Sequence, residues 1–264
     1  MSLADVSGTD RTPFSKHQSF YHGQFKKYSA DLGSDSYILK LREKNCPEMP
    51  EVEFLSNQIA SSLKLPVAEY YYIKFGNEYG FLTRKFISKY RPADLKHIYH
   101  FMTECSFSVE TIINVIRKET NSPKDVATFV EVILYDALIG NHDRHGRNLA
   151  FLDTKGSRRL SPLYDNVSEL STEGNDFLLQ AHRNPIGRIV TEKTRVPVMI
   201  DYVEEIARLG LLKIAEEFSK RVNISIIGKL IEESYCSDLM KKAMIKLVEE
   251  RFDQLKSEIQ NIKK

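Results

Sequence analysis

The run from Lys124 to Gly140, together with the polar loop directly after it, constrains this chain more than any other feature. Val126, Phe129, Val130, Ile133, Leu134, Ala137 and Leu138 recur at steps of three and four residues, the spacing that lines one face of a helix. A stripe this apolar predicts a helix turned into a core, and Gly140 is placed to end it. The polar loop NHDRHGRN comes next, then NLAFLD, a turn at Lys155 and Gly156, and RRLSPLYD. That order predicts a buried helix handing the chain to a β-hairpin through a loop rich in ionisable groups.

The texture on either side differs. The first 35 or so residues are polar and predict loop. Ser36 to Leu41 reads as a strand, and Pro50 opens a helix with Val52, Leu55, Ile59 and Leu63 on one face. VAEYYYIKF and EYGFLTRKFI predict two strands parted by Gly76 and Asn77. From about residue 92 the pattern predicts helix, and after residue 196 helix again. The last helix starts near Ser237, with Met244, Leu247, Val248, Leu255, Ile259 and Ile262 facing inward. The expectation is an α+β chain of two unequal lobes, a small mixed lobe over 1–88 and a larger, mostly helical one over 89–264.

Composition removes several classes of function. With 38 Lys+Arg against 36 Asp+Glu the net charge is +2, which gives no whole-chain reason to expect direct nucleic-acid binding. No apolar run approaches the ~18 residues that span a bilayer. The start MSLADVSGTDRTPF lacks the apolar core of a signal peptide. Cys46, Cys105 and Cys236 suit neither a disulfide framework nor a zinc ribbon. The expected setting is the cytoplasm, away from membranes, with no signal for delivery into another cell to be read.

Four features could carry chemistry. Asp143 is followed five residues later by Asn148, and Asp165 lies seventeen residues beyond, across the hairpin. A carboxylate, an amide and a second carboxylate form the set that phosphoryl transfer needs. Asp143 would accept or orient the proton of an attacking hydroxyl, while Asn148 and Asp165 would hold magnesium against the phosphates of ATP. The plainer alternative is a polar loop whose Asp and Asn cap turns. Lys40, in an otherwise apolar strand, could steady phosphates or simply snorkel at an edge. Glu53, thirteen residues on, could orient Lys40 or stabilise a helix N-terminus. SKHQSFYHGQFKK offers one glycine, Gly23, with Lys26 and Lys27 behind it, which by itself reads as an ordinary loop. In HRNPIGRIVTEKTR, Arg183, Arg188, Lys193 and Arg195 face only Glu192; such a run is a solvated face or a dock for an acidic or phosphorylated partner.

These residues resemble the HipA-like serine/threonine protein kinases. YILKL with Lys40, PEVEF with Glu53, LIGNHDRHGRN and PLYDNVS stand in the order and spacing of that family. The resemblance runs from about Gly23 to at least Asn166. It implies a two-lobed protein-kinase-like fold with ATP and Mg2+ as cofactors, and a catalytic set of Asp143, Lys40, His145, Asn148 and Asp165. Asn148 and Asp165 are then the metal ligands. Gly23, Lys27, Lys40 and Glu53 belong to the nucleotide site, and Arg84 and Phe86 of the TRKF run offer hinge backbone to adenine. Ile87 stands where the family usually has Asp. The glycine loop departs from the family pattern, with Phe20 at its serine position; Ser19 beside it becomes the candidate autophosphorylation site, and Arg183 and Arg188 candidate substrate contacts.

HipA itself carries an N-terminal subdomain for which this chain has no room before its phosphate loop, so the chain looks most like the compact HipT-type toxin kinases. By the same resemblance the substrate is a serine of a protein, such as an aminoacyl-tRNA synthetase. A small HipS-like accessory protein and a HipB-like DNA-binding antitoxin are the expected partners. DRHGRN also resembles the catalytic loop of phosphatidylinositol-kinase-like enzymes, which would share Asp143, His145 and Asn148. A metal-dependent phosphohydrolase built on His142, Asp143 and His145, with His97 and His100 as further ligands, is another alternative; a binding module without activity is the last.

Overall fold

The computed structural model describes residues 4–5, 14–16, 27–32, 35–87, 93–102, 107–172, 178 and 185–264. The first sheet is built from β1 (Ala4–Asp5), β2 (Phe14–Lys16), β3 (Lys27–Leu32), β4 (Asp35–Leu41), β5 (Tyr70–Phe75) and β6 (Glu78–Arg84), in the order β1-β5-β6-β4-β3-β2. β1 lies parallel to β5, and the other neighbours are antiparallel. Between β4 and β5 runs α1 (Met49–Ser62), with Pro50 in its first turn where no N–H is lost.

α1 has two apolar faces, and they go to different places. Val52, Leu55, Ile59 and Ala60 join the large core of the helical half. Phe54 packs with Tyr72 and Phe81 of the sheet. The sheet keeps only small clusters of its own, Leu39 with Ile73 and Leu82 being the other. α1 is therefore fixed by the larger core, and the Tyr135 hydroxyl adds a bond to the Ser56 carbonyl at 2.8 Å.

The rest is built on β7 (Asp94–His97), α2 (Val109–Thr120), α3 (Pro123–Ile139), β8 (Ala150–Thr154), β9 (Ser157–Leu160), α4 (Met199–Arg208), α5 (Leu212–Arg221), α6 (Ile224–Glu232) and α7 (Asp238–Ile262). α3 is the central helix. Phe129, Val130, Ile133, Leu134 and Leu138 are each no more than 1% exposed, and full burial of one such side chain is worth ~1.5–3 kcal/mol. Gly140 caps α3 with φ of +70° and lies against Leu247 and Pro185, leaving no room for a Cβ. Both its conformation and its space exclude other residues.

Three expectations need correction. Lys27 to Leu32 is a strand, because β4 offers it a full antiparallel register from Lys27 opposite Lys40 to Leu32 opposite Asp35; pairing outweighs its polar composition. The stretch after residue 92 starts as strand β7, which joins β8 and β9 in a second sheet. Four residues are too few to show a period. Ile262 is 37% exposed, since the last turn of α7 runs beyond the core.

Candidate active site

Lys40 reaches down from β4. Its register partner across β3 is Lys27, and two lysines directly opposite each other repel unless an anion lies between their tips. Asp165 supplies it. Lys40 Nζ is 2.7 Å from Asp165 Oδ1, and Lys27 Nζ is 3.1 Å from Asp165 Oδ2. On its other side Lys40 Nζ holds both oxygens of Glu53 on α1, at 2.6 and 2.7 Å. Two ammonium groups and two carboxylates thus interlock, with Lys40 and Glu53 almost wholly buried.

The cluster sets its own protonation. Burial works against the charge on Lys40, but Asp165 and Glu53 overcome it and hold the ammonium protonated far above ordinary pH. Burial likewise opposes ionisation of Asp165, and the two lysines reverse that, keeping its carboxyl well below the usual range. Glu53 is pushed up by burial, with Lys40 acting against the shift. Asp165 also adopts a left-handed backbone, φ +53°. A non-glycine residue there marks a position that its surroundings dictate, a common trait of functional sites.

Asp165 arrives by way of the hairpin. Pro162 ends the second strand, and Leu163 bonds to the other half of the chain: its N–H donates to Pro66 O at 2.7 Å and its carbonyl accepts from Ala68 N–H at 3.0 Å. The Tyr164 hydroxyl donates to Arg147 O at 2.8 Å.

The 141–148 loop is locked by its own bonds. His145 N–H donates to Asp143 O, Asn148 N–H to His145 O, and Asn148 Nδ2 to Asp143 O, each at 2.8 Å. The Arg147 N–H donates to His145 Nδ1 at 3.1 Å, so a neutral ring carries its proton on Nε2, which lies 3.9 Å from Asp143 Oδ1. Burial pushes the His145 imidazole below its ordinary range. Asp143 itself is half-exposed, and the Arg188 guanidinium is 3.7 Å away.

Beneath this loop lies a hub that the spacing of the motif does not reveal. Arg144 is 1% exposed. Its Nε and Nη2 grip Asp136 of α3 at 2.8 and 2.9 Å. Its other bonds go to the carbonyls of Asn148 and Tyr164 and, at 2.6 Å, to the side chain of Asn166. Asn166 continues to Asn57 of α1 at 3.0 Å. One buried guanidinium therefore ties together the loop, the residue before Asp165, α3 and, through one amide, α1. The readable signal was Asp136, a carboxylate inside the buried central helix, which needs a buried partner.

A cavity of about 610 Å³ opens here. Lys27, Lys40, Asn148 and Asp165 line one part, and Thr83, Arg84, Phe86 and Ile87 another. His145 and Arg147 line it as well; Asp143 stands outside the lining, at the mouth beside His145. Phe86 meets Tyr164 with ring centroids 6.0 Å apart. The Arg84 N–H is already used by the Glu69 carbonyl at 2.8 Å, and its guanidinium pairs with Asp35 and Glu69, so the carbonyl is what Arg84 has left to offer a ligand. Glu53 lies behind Lys40 and off the lining. Gly23, Ser19 and Arg183 lie outside the described residues.

The histidine set does not converge. His142 points to Glu169, 3.9 Å away, and among the described residues no three His, Cys, Asp or Glu side chains are grouped to hold a metal. Asn148 and Asp165 suit a hard divalent cation that completes its shell with phosphate oxygens and water. The Lys27 ammonium resting on Asp165 indicates that a cation is welcome at that carboxylate. Among the described residues no helix is long and apolar enough to cross a membrane.

A family model described as HipA-like C-terminal domain matches residues 17–230. No match is found among curated proteins. Among solved structures the chain is similar to the Helicobacter pylori proinflammatory kinase CtkA, with a TM-score of 0.77 and 16% identity over 98% of this chain and 99% of that one. It is also similar to a chain of the Shewanella oneidensis MR-1 toxin-antitoxin complex of HipA, HipB and operator DNA, with a TM-score of 0.54 and 16% identity over 96% of this chain and 64% of that one. The expected α+β, kinase-like fold is thereby found.

Proposed function

Since the chain belongs to the family of HipA-like C-terminal domains, we propose that it is a kinase that moves the terminal phosphoryl group of ATP to a serine or threonine hydroxyl of a protein. The observation that carries this reading is the three-way contact of Lys40 with Glu53 and Asp165. It brings a strand, a helix and the hairpin to one point on the wall of the cavity. Residues 1–88 would form the lobe above the nucleotide and 89–264 the lobe that takes the acceptor.

Bound magnesium and ATP would supply the phosphoryl group and a metal charge to offset that of the phosphates. Asn148 and Asp165 would hold the metal. Lys40, kept in place by Glu53, would contact phosphate oxygens, and Lys27 would leave Asp165 to do the same. The backbone between Thr83 and Phe86 would meet adenine. Asp143, open to the acceptor side, would take the hydroxyl proton as the oxygen attacks.

The finer reading rests on the family resemblance. The chain would act as a HipT-type toxin on a translation-related protein such as an aminoacyl-tRNA synthetase, with HipS-like and HipB-like partners; the Shewanella oneidensis complex of HipA with HipB supports the last. Ser19 would be its own phosphorylation site. Incubation with ATP labelled on its terminal phosphate, in a bacterial lysate, should label one dominant protein, and Asp165→Ala should label none. Label appearing only in added phosphatidylinositol vesicles would move the assignment to a lipid kinase.

A further inference from the structure

Arg188 stands at the mouth of the cleft on a segment anchored along its length. The Pro185 carbonyl accepts from Arg251 Nη2, a buried guanidinium of α7, at 2.5 Å, and the Pro185 ring rests on Gly140 at the end of α3. The Gly187 N–H donates to Pro197 O at 2.7 Å. A Cβ at Gly187 would overlap the Tyr202 hydroxyl, which itself donates to Ile189 O at 2.8 Å. Val190 bonds through its N–H to Phe107 O and through its carbonyl to Val109 N–H, at 3.1 and 3.0 Å. The backbone on both sides of Arg188 is thus fixed.

The side chain has no matching anchor. It is 57% exposed, and its carboxylate contact is Asp143 at 3.7 Å, well beyond the ~2.7–2.9 Å of a charge-assisted bond. Glu192, the acidic residue nearest in sequence, is taken by Arg208 at 2.7 Å, and Lys193 pairs away with Glu204. On the other side of His145, Arg147 places its guanidinium over the Tyr99 ring and meets no carboxylate among the described residues. Arg188 is therefore a guanidinium beside Asp143 that lacks a tight partner among the described residues.

We infer that Arg188 is a specificity-determining contact for the protein substrate: it receives a carboxylate side chain within a few residues of the phosphoacceptor. This rests on the kinase reading above. Ile186 and Val196, 42% and 56% exposed, flank the same segment and would meet apolar atoms of the bound chain.

The test maps the sites phosphorylated by the wild type in a bacterial lysate. Peptides are then made around them, each with its nearby Asp and Glu residues replaced by Gln or by Lys. We expect an acidic residue within three positions of every strongly labelled hydroxyl. Its replacement by Gln should lower kcat/KM about ten- to a hundredfold, mostly through KM, as expected for loss of a charge-assisted bond. Arg188→Glu should reverse the order of the acidic and Lys peptides, and Arg188→Lys should keep it. Strongly labelled sites without a neighbouring acid, preference for a phosphorylated neighbour over a carboxylate, or an acidic preference that survives Arg188→Glu would each overturn the inference while leaving the kinase reading intact. Should Arg188→Glu fail to fold, the wild-type site composition still decides. An absence of any labelling by the wild type would instead remove the kinase reading.

Discussion

Two carboxylates serve the same cleft in opposite surroundings. Asp165 is 26% exposed and carries two lysines within 3.1 Å, while Asp143 is 53% exposed, with the Arg188 guanidinium at 3.7 Å and the His145 ring at 3.9 Å. The first is saturated with positive charge and fixed by an unusual backbone angle, as a cation-holding group needs to be. The second is open and loosely held, as a group that must pick up and release a proton needs to be. Chemistry that requires both a rigid anion and an available one has them in one site, because the hairpin delivers the first to lysines held by the sheet and α1 and a solvent-facing loop carries the second.

The sharpest way to break this contrast is at the open end. Asp143→Asn should lower phosphoryl transfer by ~10²–10⁴-fold, the range for loss of a general base, with the melting temperature unchanged, because among the described residues its side chain makes no close bond. A comparable fall in both transfer and melting temperature would mean that Asp143 is structural. Next comes the shared floor: Arg144→Ala removes the cation paired with buried Asp136, leaving that carboxylate only the Asn141 amide among the described residues, and should cost about 3–5 kcal/mol in chemical denaturation. A smaller loss, under about 1 kcal/mol, would show that the hub does not hold the loop.

Smaller effects sharpen the picture at the periphery. Glu48 bonds both the N–H and the hydroxyl of Ser237, the cap of α7, at 2.6 and 2.8 Å, joining the start of α1 to the helical half. Glu48→Ala should therefore lower stability by about 1 kcal/mol without altering the contrast between the two carboxylates. Finally, Cys46 and Cys236 are buried, and burial pushes the Cys236 thiol up to about 12. Both should stay unmodified by a thiol reagent at pH 8 in the folded protein and react on denaturation; rapid modification of either would contradict the packing around α1 and α7.

Much of the polar site was legible because its spacing is local. Asp143 and Asn148 lie on one loop, and Lys40 and Glu53 lie on adjacent elements, a strand read from its apolar run and a helix read from the stripe of Val52, Leu55, Ile59 and Leu63. The partners fixed by tertiary contact were not legible. Lys27 reads as part of a loop, yet its register opposite Lys40 brings it to Asp165. Arg144 sits in plain view inside the motif, but its bonds reach α3 and the residues on either side of Asp165, and through Asn166 also α1. β7 is four residues long and exists because β8 offers it an edge. Arg188 belongs to a charge run that composition alone could equally assign to solvent, and only the anchored backbone beside Asp143 gives it a place.

The central claim is tested most directly by measuring Mg-ATP binding and phosphoryl transfer side by side on the wild type, Asp143→Ala and Asp165→Ala. The account predicts that Asp143→Ala binds Mg-ATP as the wild type does and transfers nothing detectable, while Asp165→Ala loses the magnesium dependence of nucleotide binding along with transfer. Transfer by Asp143→Ala at the wild-type rate, or magnesium-dependent binding unchanged in Asp165→Ala, would contradict it.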